Sequence, residues 1–152
     1  MTDGALPPGS VIGILGGGQL GRMLALAAAP LGLRCHVYDP DANAPAGQVC
    51  AQLHTAAYED ADALRRFAEG VDVVTYEFEN IPTGALDAIE AIVPIRPGRR
   101  ALEVSQDRLI EKTWLRDLGL TVAPFAGVNT ADDLADAMAQ IGTPAILKTR
   151  RF

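Results

Sequence analysis

Short apolar runs alternate along this chain with stretches whose apolar residues recur every three or four positions, the pattern of strands alternating with helices. Val11-Ile12-Gly13-Ile14-Leu15 is apolar throughout, as expected of a strand covered on both faces. A Gly-rich turn follows, then a helical stretch from Gln19 to Ala29 that closes near Pro30 and Gly32. Cys35 to Asp39 predicts a second strand ended by Asp39-Pro40-Asp41, and Leu53 to Thr55 a short third. Asp60 to Glu69 predicts a helix with Leu64, Phe67 and Ala68 on one face, and Val71 to Tyr76 another buried strand. Thr83 can cap a helix that turns Leu86, Ile89 and Val93 inward, and Ile95 sits in a last short strand before Pro97-Gly98. Such alternation builds a mostly parallel sheet with helices on both faces, so residues 11–97 are expected to form a Rossmann-like α/β domain behind a polar tail, residues 1–10.

A second unit is expected over residues 98–152. Gln106 to Leu118 predicts a helix with Ile110, Trp114 and Leu118 at intervals of four, broken by Gly119 and Pro124. Phe125 to Val128 reads as a strand, Thr130 to Ile141 as a capped helix, and Ala145 to Lys148 as another strand.

Composition narrows the chemistry. A formal charge of −6 argues against nucleic acid and against an anionic membrane surface, since both favour basic partners. The first ten residues have no charged-then-apolar signal pattern, and LALAAAPLGL is too short, and interrupted by Pro30, to span a bilayer. Cys35 and Cys50 lack metal-ligand spacing and read as buried thiols in a reducing compartment, so the protein is expected to be soluble and cytoplasmic. No set of metal ligands is apparent. Arginine outnumbers lysine eleven to two, so Lys112 and Lys148 stand out as positions where a compact ammonium has been kept.

Gly16-Gly17-Gly18-Gln19-Leu20-Gly21 follows a strand and opens a helix, the context in which bare backbone and free N–H groups favour an anionic ligand. Asp39 ends the second strand eighteen residues after Gly21, near where a dinucleotide enzyme places its ribose-binding acid. Alone, these features fit a nicotinamide- or flavin-dependent oxidoreductase, or glycines that only serve close helix–strand packing. Tyr76-Glu77-Phe78-Glu79-Asn80 adds two carboxylates at the carboxyl end of a central strand, where open α/β sheets bind ligands, and strand alternation would point Glu77 and Glu79 the same way. Neither His36 nor His54, in or beside early strands, reads as a proton relay.

The segments IGILGGGQLGRML, YEFEN, QDRLIEKTWL and AILKTR, in this order from Val11 to Arg150, together resemble the 5-(carboxyamino)imidazole ribonucleotide synthases, ATP-grasp ligases of purine biosynthesis. The resemblance implies a pre-ATP-grasp domain followed by the start of an ATP-grasp domain. It implies ATP with magnesium as cofactors, and carboxylation of 5-aminoimidazole ribonucleotide by bicarbonate through a carboxyphosphate. It places Arg108 and Lys148 at the ATP phosphates, and the ribonucleotide over Gln19 and Leu20 with Glu77 at its polar groups. Asp39 would then be only a turn residue, Lys112 a solvated helix residue, and Arg22 either a phosphate contact or a surface residue. A homodimer is also implied. The family's Gly-rich ATP loop, magnesium-binding acids and most catalytic groups are expected to follow Phe152, so residues 1–152 alone are not expected to catalyse. The competing readings are the oxidoreductase and a non-enzymatic nucleotide-binding module.

Overall fold

In a computed structural model, which describes residues 5–151, the run Val11–Leu15 forms β1 inside a parallel sheet. β2 (Arg34–Asp39) pairs with it from Val11↔Arg34 to Leu15↔Tyr38, and β3 (Gln52–Thr55) adds outside β2. β4 (Val73–Tyr76) pairs with the other side of β1, from Ile12↔Val73 to Leu15↔Tyr76. The order is therefore β3-β2-β1-β4, and the chain reverses its direction of winding between β1 and β4. In parallel sheets that reversal opens a crevice beyond the strand carboxyl ends, here after Leu15 and Tyr76.

Successive residues of β1 serve opposite faces. Ile14 packs with Ala25 and Ala28 of α1 (Gln19–Ala28), together with Cys35, Val37 and Ala46. Gly13 meets Phe67 of α2 (Ala61–Ala68): a Cβ there would lie 2.8 Å from the Phe67 ring tip, so only glycine lets α2 approach this closely. Asp60 caps α2 by accepting the Ala63 N–H at 2.9 Å. α3 (Gly84–Glu90) buries Leu86 and Ile89, with Val93 following, as their spacing predicts.

Two details of this unit differ from expectation. Thr83 precedes α3 but makes no side-chain cap, because its backbone is already helical and a capping hydroxyl needs the extended region. Ile95 forms only an isolated bridge with Val74. The parallel alternation itself is as the sequence predicts.

The described residues pack as two compact units divided between Arg99 and Arg100. The expected helix over Gln106 to Leu118 forms as α5 (Arg108–Asp117), and a short helix that the sequence did not suggest, α4 (Arg99–Ser105), precedes it. Asp107 starts α5, through its extended backbone and its side-chain bonds to the Leu109 and Ile110 N–H groups. α6 (Ala131–Ile141) carries the reciprocal Thr130–Asp133 capping box. Residues 125–128 and 145–148 are not strands, contrary to expectation. An apolar run becomes a strand only where a neighbour takes up its backbone groups, and among the described residues neither run has one. No helix among the described residues is long and apolar enough to cross a membrane.

Candidate functional site

The Gly-rich turn lies in the crevice where β1 and β4 end. Gly16 has φ +98°, a left-handed conformation that favours glycine. At Gly21 a Cβ would lie 2.5 Å from the Gly16 carbonyl oxygen, so the turn closes onto α1 only without a side chain there. Every N–H of the glycine triplet is held by the protein itself. Gly16 donates to the Tyr38 carbonyl at 3.0 Å, Gly17 to Asp39 Oδ2 at 2.6 Å, and Gly18 to Glu77 Oε1 at 3.0 Å. The Gly17 carbonyl accepts the Ala46 N–H at 2.8 Å, which ties the turn to the loop after β2.

The N–H groups of Gly17 and Gly18 are thus taken by two carboxylates, and the free donors expected of the helix start lie beyond them. The helix start that follows, at Gln19, Leu20 and Gly21, has no side-chain cap. First-turn N–H groups have no partner within their own helix, so this is where an anion finds donors. Gln19 and Leu20 are exposed, Leu20 by 56 %.

Asp39 does more than end a strand. Besides holding Gly17, its Oδ1 accepts the Asp41 N–H at 2.7 Å, so one carboxylate fixes both the glycine turn and the loop that follows β2. The strand alternation expected to align Glu77 with Glu79 does not reach them. β4 stops at Tyr76 and the chain bends, turning Glu77 half-buried onto the glycines while Glu79 stays exposed. Tyr58 was not picked out by sequence. Burial pushes its hydroxyl pKa up, and the charges of Asp39 and Glu77 add to that effect, which marks it as a neighbour of both carboxylates. Its ring lies 5.8 Å from Tyr38, whose hydroxyl donates to the Ala57 carbonyl at 2.7 Å. Tyr38 is pushed up to about 12, chiefly by burial.

Arg22 donates to the Pro45 carbonyl at 3.4 Å and to Gln48 Oε1, so it supports the loop after β2 from the surface of α1. His36 and His54 lie 5.7 Å apart between ring centroids, with His36 Nδ1 and His54 Nε2 enclosed and without hydrogen-bond partners. His54 also meets the Phe67 ring edge-on at 5.3 Å, in keeping with a packing role.

In the second unit, Asp107 fixes the backbone at the start of α5, which begins at Arg108. It is 3 % exposed and takes the Leu109 and Ile110 N–H groups at 2.9 and 3.1 Å. Arg150 forks onto it at 2.9 and 3.3 Å, and Arg151 adds a contact at 3.2 Å. Burial alone would raise this carboxyl. The bonds from Arg150, the Ile110 N–H, Arg151 and the Leu109 N–H outweigh burial and hold it down at about 2. The Arg108 N–H donates to the Arg150 carbonyl at 3.0 Å, which brings the start of α5 beside the segment carrying Lys148. Lys148 is exposed. Lys112 is not simply solvated: its ammonium lies 5.6 Å from the Phe125 ring centroid, and the Arg116 guanidinium 5.4 Å from it. Among the described residues no group of three or more His, Cys, Asp or Glu side chains could hold a metal ion.

The chain resembles proteins of known kind over nearly all its length. It is 46% identical over 152 residues to N5-carboxyaminoimidazole ribonucleotide synthase of Brucella melitensis, all of this chain matching 42% of that protein. The crystal structure of N5-carboxyaminoimidazole ribonucleotide synthetase from Thermus thermophilus superposes with a TM-score of 0.83 and 53% identity, over 92% of this chain and 39% of that one. That of N5-carboxyaminoimidazole synthase from Aspergillus clavatus, in complex with ADP and 5-aminoimidazole ribonucleotide, gives 0.77 and 35%, over 90% and 37%. The chain thus spans about two-fifths of the length of the relatives it matches. The family model of the ribonucleotide synthetase preATP-grasp domain matches residues 10–106, a stretch that holds the whole parallel sheet and its glycine turn. On that match and on these likenesses, the chain belongs to the ribonucleotide synthetase preATP-grasp family.

Proposed function

We propose that this chain takes part in the ATP-dependent carboxylation of 5-aminoimidazole ribonucleotide by bicarbonate, giving N5-carboxyaminoimidazole ribonucleotide, ADP and phosphate in purine biosynthesis. The observation that carries this is the whole-chain identity of 46% to a synthase of that name, with the glycine turn and Glu77 brought together at the switch point. The Aspergillus clavatus structure, with ADP and the ribonucleotide bound, supports both substrates.

Bicarbonate is a poor electrophile, and transfer of the ATP γ-phosphoryl group to it supplies a leaving group. The exocyclic amine of the ribonucleotide then forms a C–N bond to the carboxyl carbon as phosphate departs and the amine loses a proton. Catalysis of this kind rests on positioning and charge stabilisation. In this chain, the front unit holds the ribonucleotide: the uncapped start of α1 at Gln19 and Leu20 offers N–H donors to its phosphate, and Glu77 accepts from its polar N–H or O–H groups. Gly18 occupies Oε1 of Glu77, which sets the direction of Oε2 towards a second donor. Arg108 and Lys148 supply positive charge to the ATP phosphates, with Asp107 and Arg150 fixing the backbone between them. Magnesium accompanies ATP in this reaction. Among the described residues no group of three or more His, Cys, Asp or Glu side chains could hold it. The protein acts in the cytoplasm, as its free thiols Cys35 and Cys50 suit, and as a homodimer.

The open reading frame encoding this chain, expressed whole, should release phosphate from ATP only when the ribonucleotide and bicarbonate are both supplied. ATP use indifferent to the ribonucleotide, or reduction of NAD by a substrate, would overturn the proposal.

A further inference from the structure

The glycine turn has the shape of a dinucleotide seat, yet a side chain of the protein already sits in it. Glu77 Oε1 takes the Gly18 N–H at 3.0 Å, and it lies 2.8 Å and 2.9 Å from where Cβ atoms of Gly16 and Gly18 would be. Only bare backbone admits an oxygen there, and the oxygen admitted is a carboxylate's. A diphosphate approaching the same triplet would meet a negative charge in place of a free donor, at a distance where like charges repel strongly outside bulk water. Asp39 closes the neighbouring N–H of Gly17 from the other side. The turn is thus liganded from within, and the donors left for a phosphate begin one step further on, in the first turn of α1.

We propose that Glu77 is a specificity-determining residue: its carboxylate occupies the diphosphate seat of the glycine turn, excludes dinucleotides, and limits the site to ligands with one phosphate at the α1 start and hydrogen-bond donors at the turn. This deepens the ribonucleotide assignment above and rests on it for the identity of the ligand. The exclusion itself rests only on the geometry of Glu77 and the glycines.

The test uses the 152-residue chain and titrates inorganic pyrophosphate, NAD and 5-aminoimidazole ribonucleotide by calorimetry, with circular dichroism to confirm the fold. Glu77→Ala vacates the seat and frees the Gly18 N–H. Pyrophosphate and NAD should then bind roughly ten- to a hundredfold more tightly than to the parent, the span of one charged hydrogen bond gained, while the ribonucleotide weakens. Asp39→Ala, which leaves Glu77 in place, should not gain NAD affinity. An unchanged pyrophosphate affinity in folded Glu77→Ala would overturn the proposal, as would an equal gain in Asp39→Ala. If Glu77→Ala does not fold, Glu77→Ser decides, since its short side chain removes the carboxylate from the seat: a gain for both diphosphates supports the proposal and no gain ends it. Failure of the parent to bind the ribonucleotide would count against the assignment above and leave the diphosphate result standing on its own.

Discussion

Asp107 is a single carboxylate with two separable tasks, and replacing it in two ways should measure each. Its Oδ1 caps α5 through the Leu109 and Ile110 N–H groups, while Arg150 and Arg151 bind its two oxygens from the end of the described chain. Loss of a cap costs about 1 kcal/mol, and loss of charge-assisted bonds about 1.5–3 kcal/mol. The arginine side chains are 43% and 60% exposed, so they regain water when the carboxylate is removed, and the second contribution falls at its lower end. Asp107→Ala should therefore lower the stability of the second unit by about 2–3 kcal/mol, and Asp107→Asn, which keeps an acceptor for the cap, by about 1–2 kcal/mol. Trp114 is the only tryptophan and lies on α5 under the Arg100 guanidinium, 4.5 Å from its ring centroid, so urea denaturation followed by its fluorescence reports this unit. The pH dependence has a definite sign. The carboxyl is held at about 2 in the folded protein against an ordinary value of 3.8, so its contribution is complete above about pH 4 and disappears as the pH falls through about 2. The gap between parent and Asp107→Asn should close over that window. A gap below about 0.5 kcal/mol at neutral pH, or one that persists unchanged to pH 2, would refute the reasoning.

Three further outcomes are expected. If the proposed ATP-dependent activity holds, Lys148→Ala should weaken ATP use severely and Lys148→Arg should only partly restore it, because a planar fork does not replace a point ammonium; ATP kinetics equal to the parent in either variant would show the assignment wrong. Glu77→Ala should lower kcat/KM for the ribonucleotide by about one to two powers of ten, the worth of a charged hydrogen bond, whereas Asp39→Ala should alter the melting temperature more than turnover; the reverse ranking in steady-state kinetics would contradict the site. Burial pushes the pKa of both His36 and His54 down, so the folded chain binds fewer protons than the unfolded one and stability should fall as the pH drops below 6.5; His36→Gln should flatten that slope in urea titrations between pH 7 and 5, and an identical slope would rule the histidine pair out as its source.

What the sequence settled on its own was whatever short-range pattern governs. A continuous apolar run such as Val11–Leu15, helical spacing such as Leu64 with Phe67, and the Thr130–Asp133 box need no distant partner to be read, and each forms as its local pattern predicts. The family was legible too, because its segments stand in order along the chain. Features that depend on another part of the chain were not. Strands at 125–128 and 145–148 could not be judged from their own residues, since a strand exists only with a neighbour to bond it. Asp107 caps α5 locally, at the start of the helix that the spacing of Ile110, Trp114 and Leu118 predicts, but its bonds to Arg150 and Arg151 span more than forty residues. At the site, glycines and acids were visible as types, and their pairing was not: Gly17 with Asp39 and Gly18 with Glu77 lie 22 and 59 positions apart. Only the placement of β1 between β2 and β4 brings those strand ends around one turn. That placement fills the glycine turn from within and leaves only the helix start beyond it for an anion, because a buried N–H is bonded by whichever acceptor the fold brings nearest.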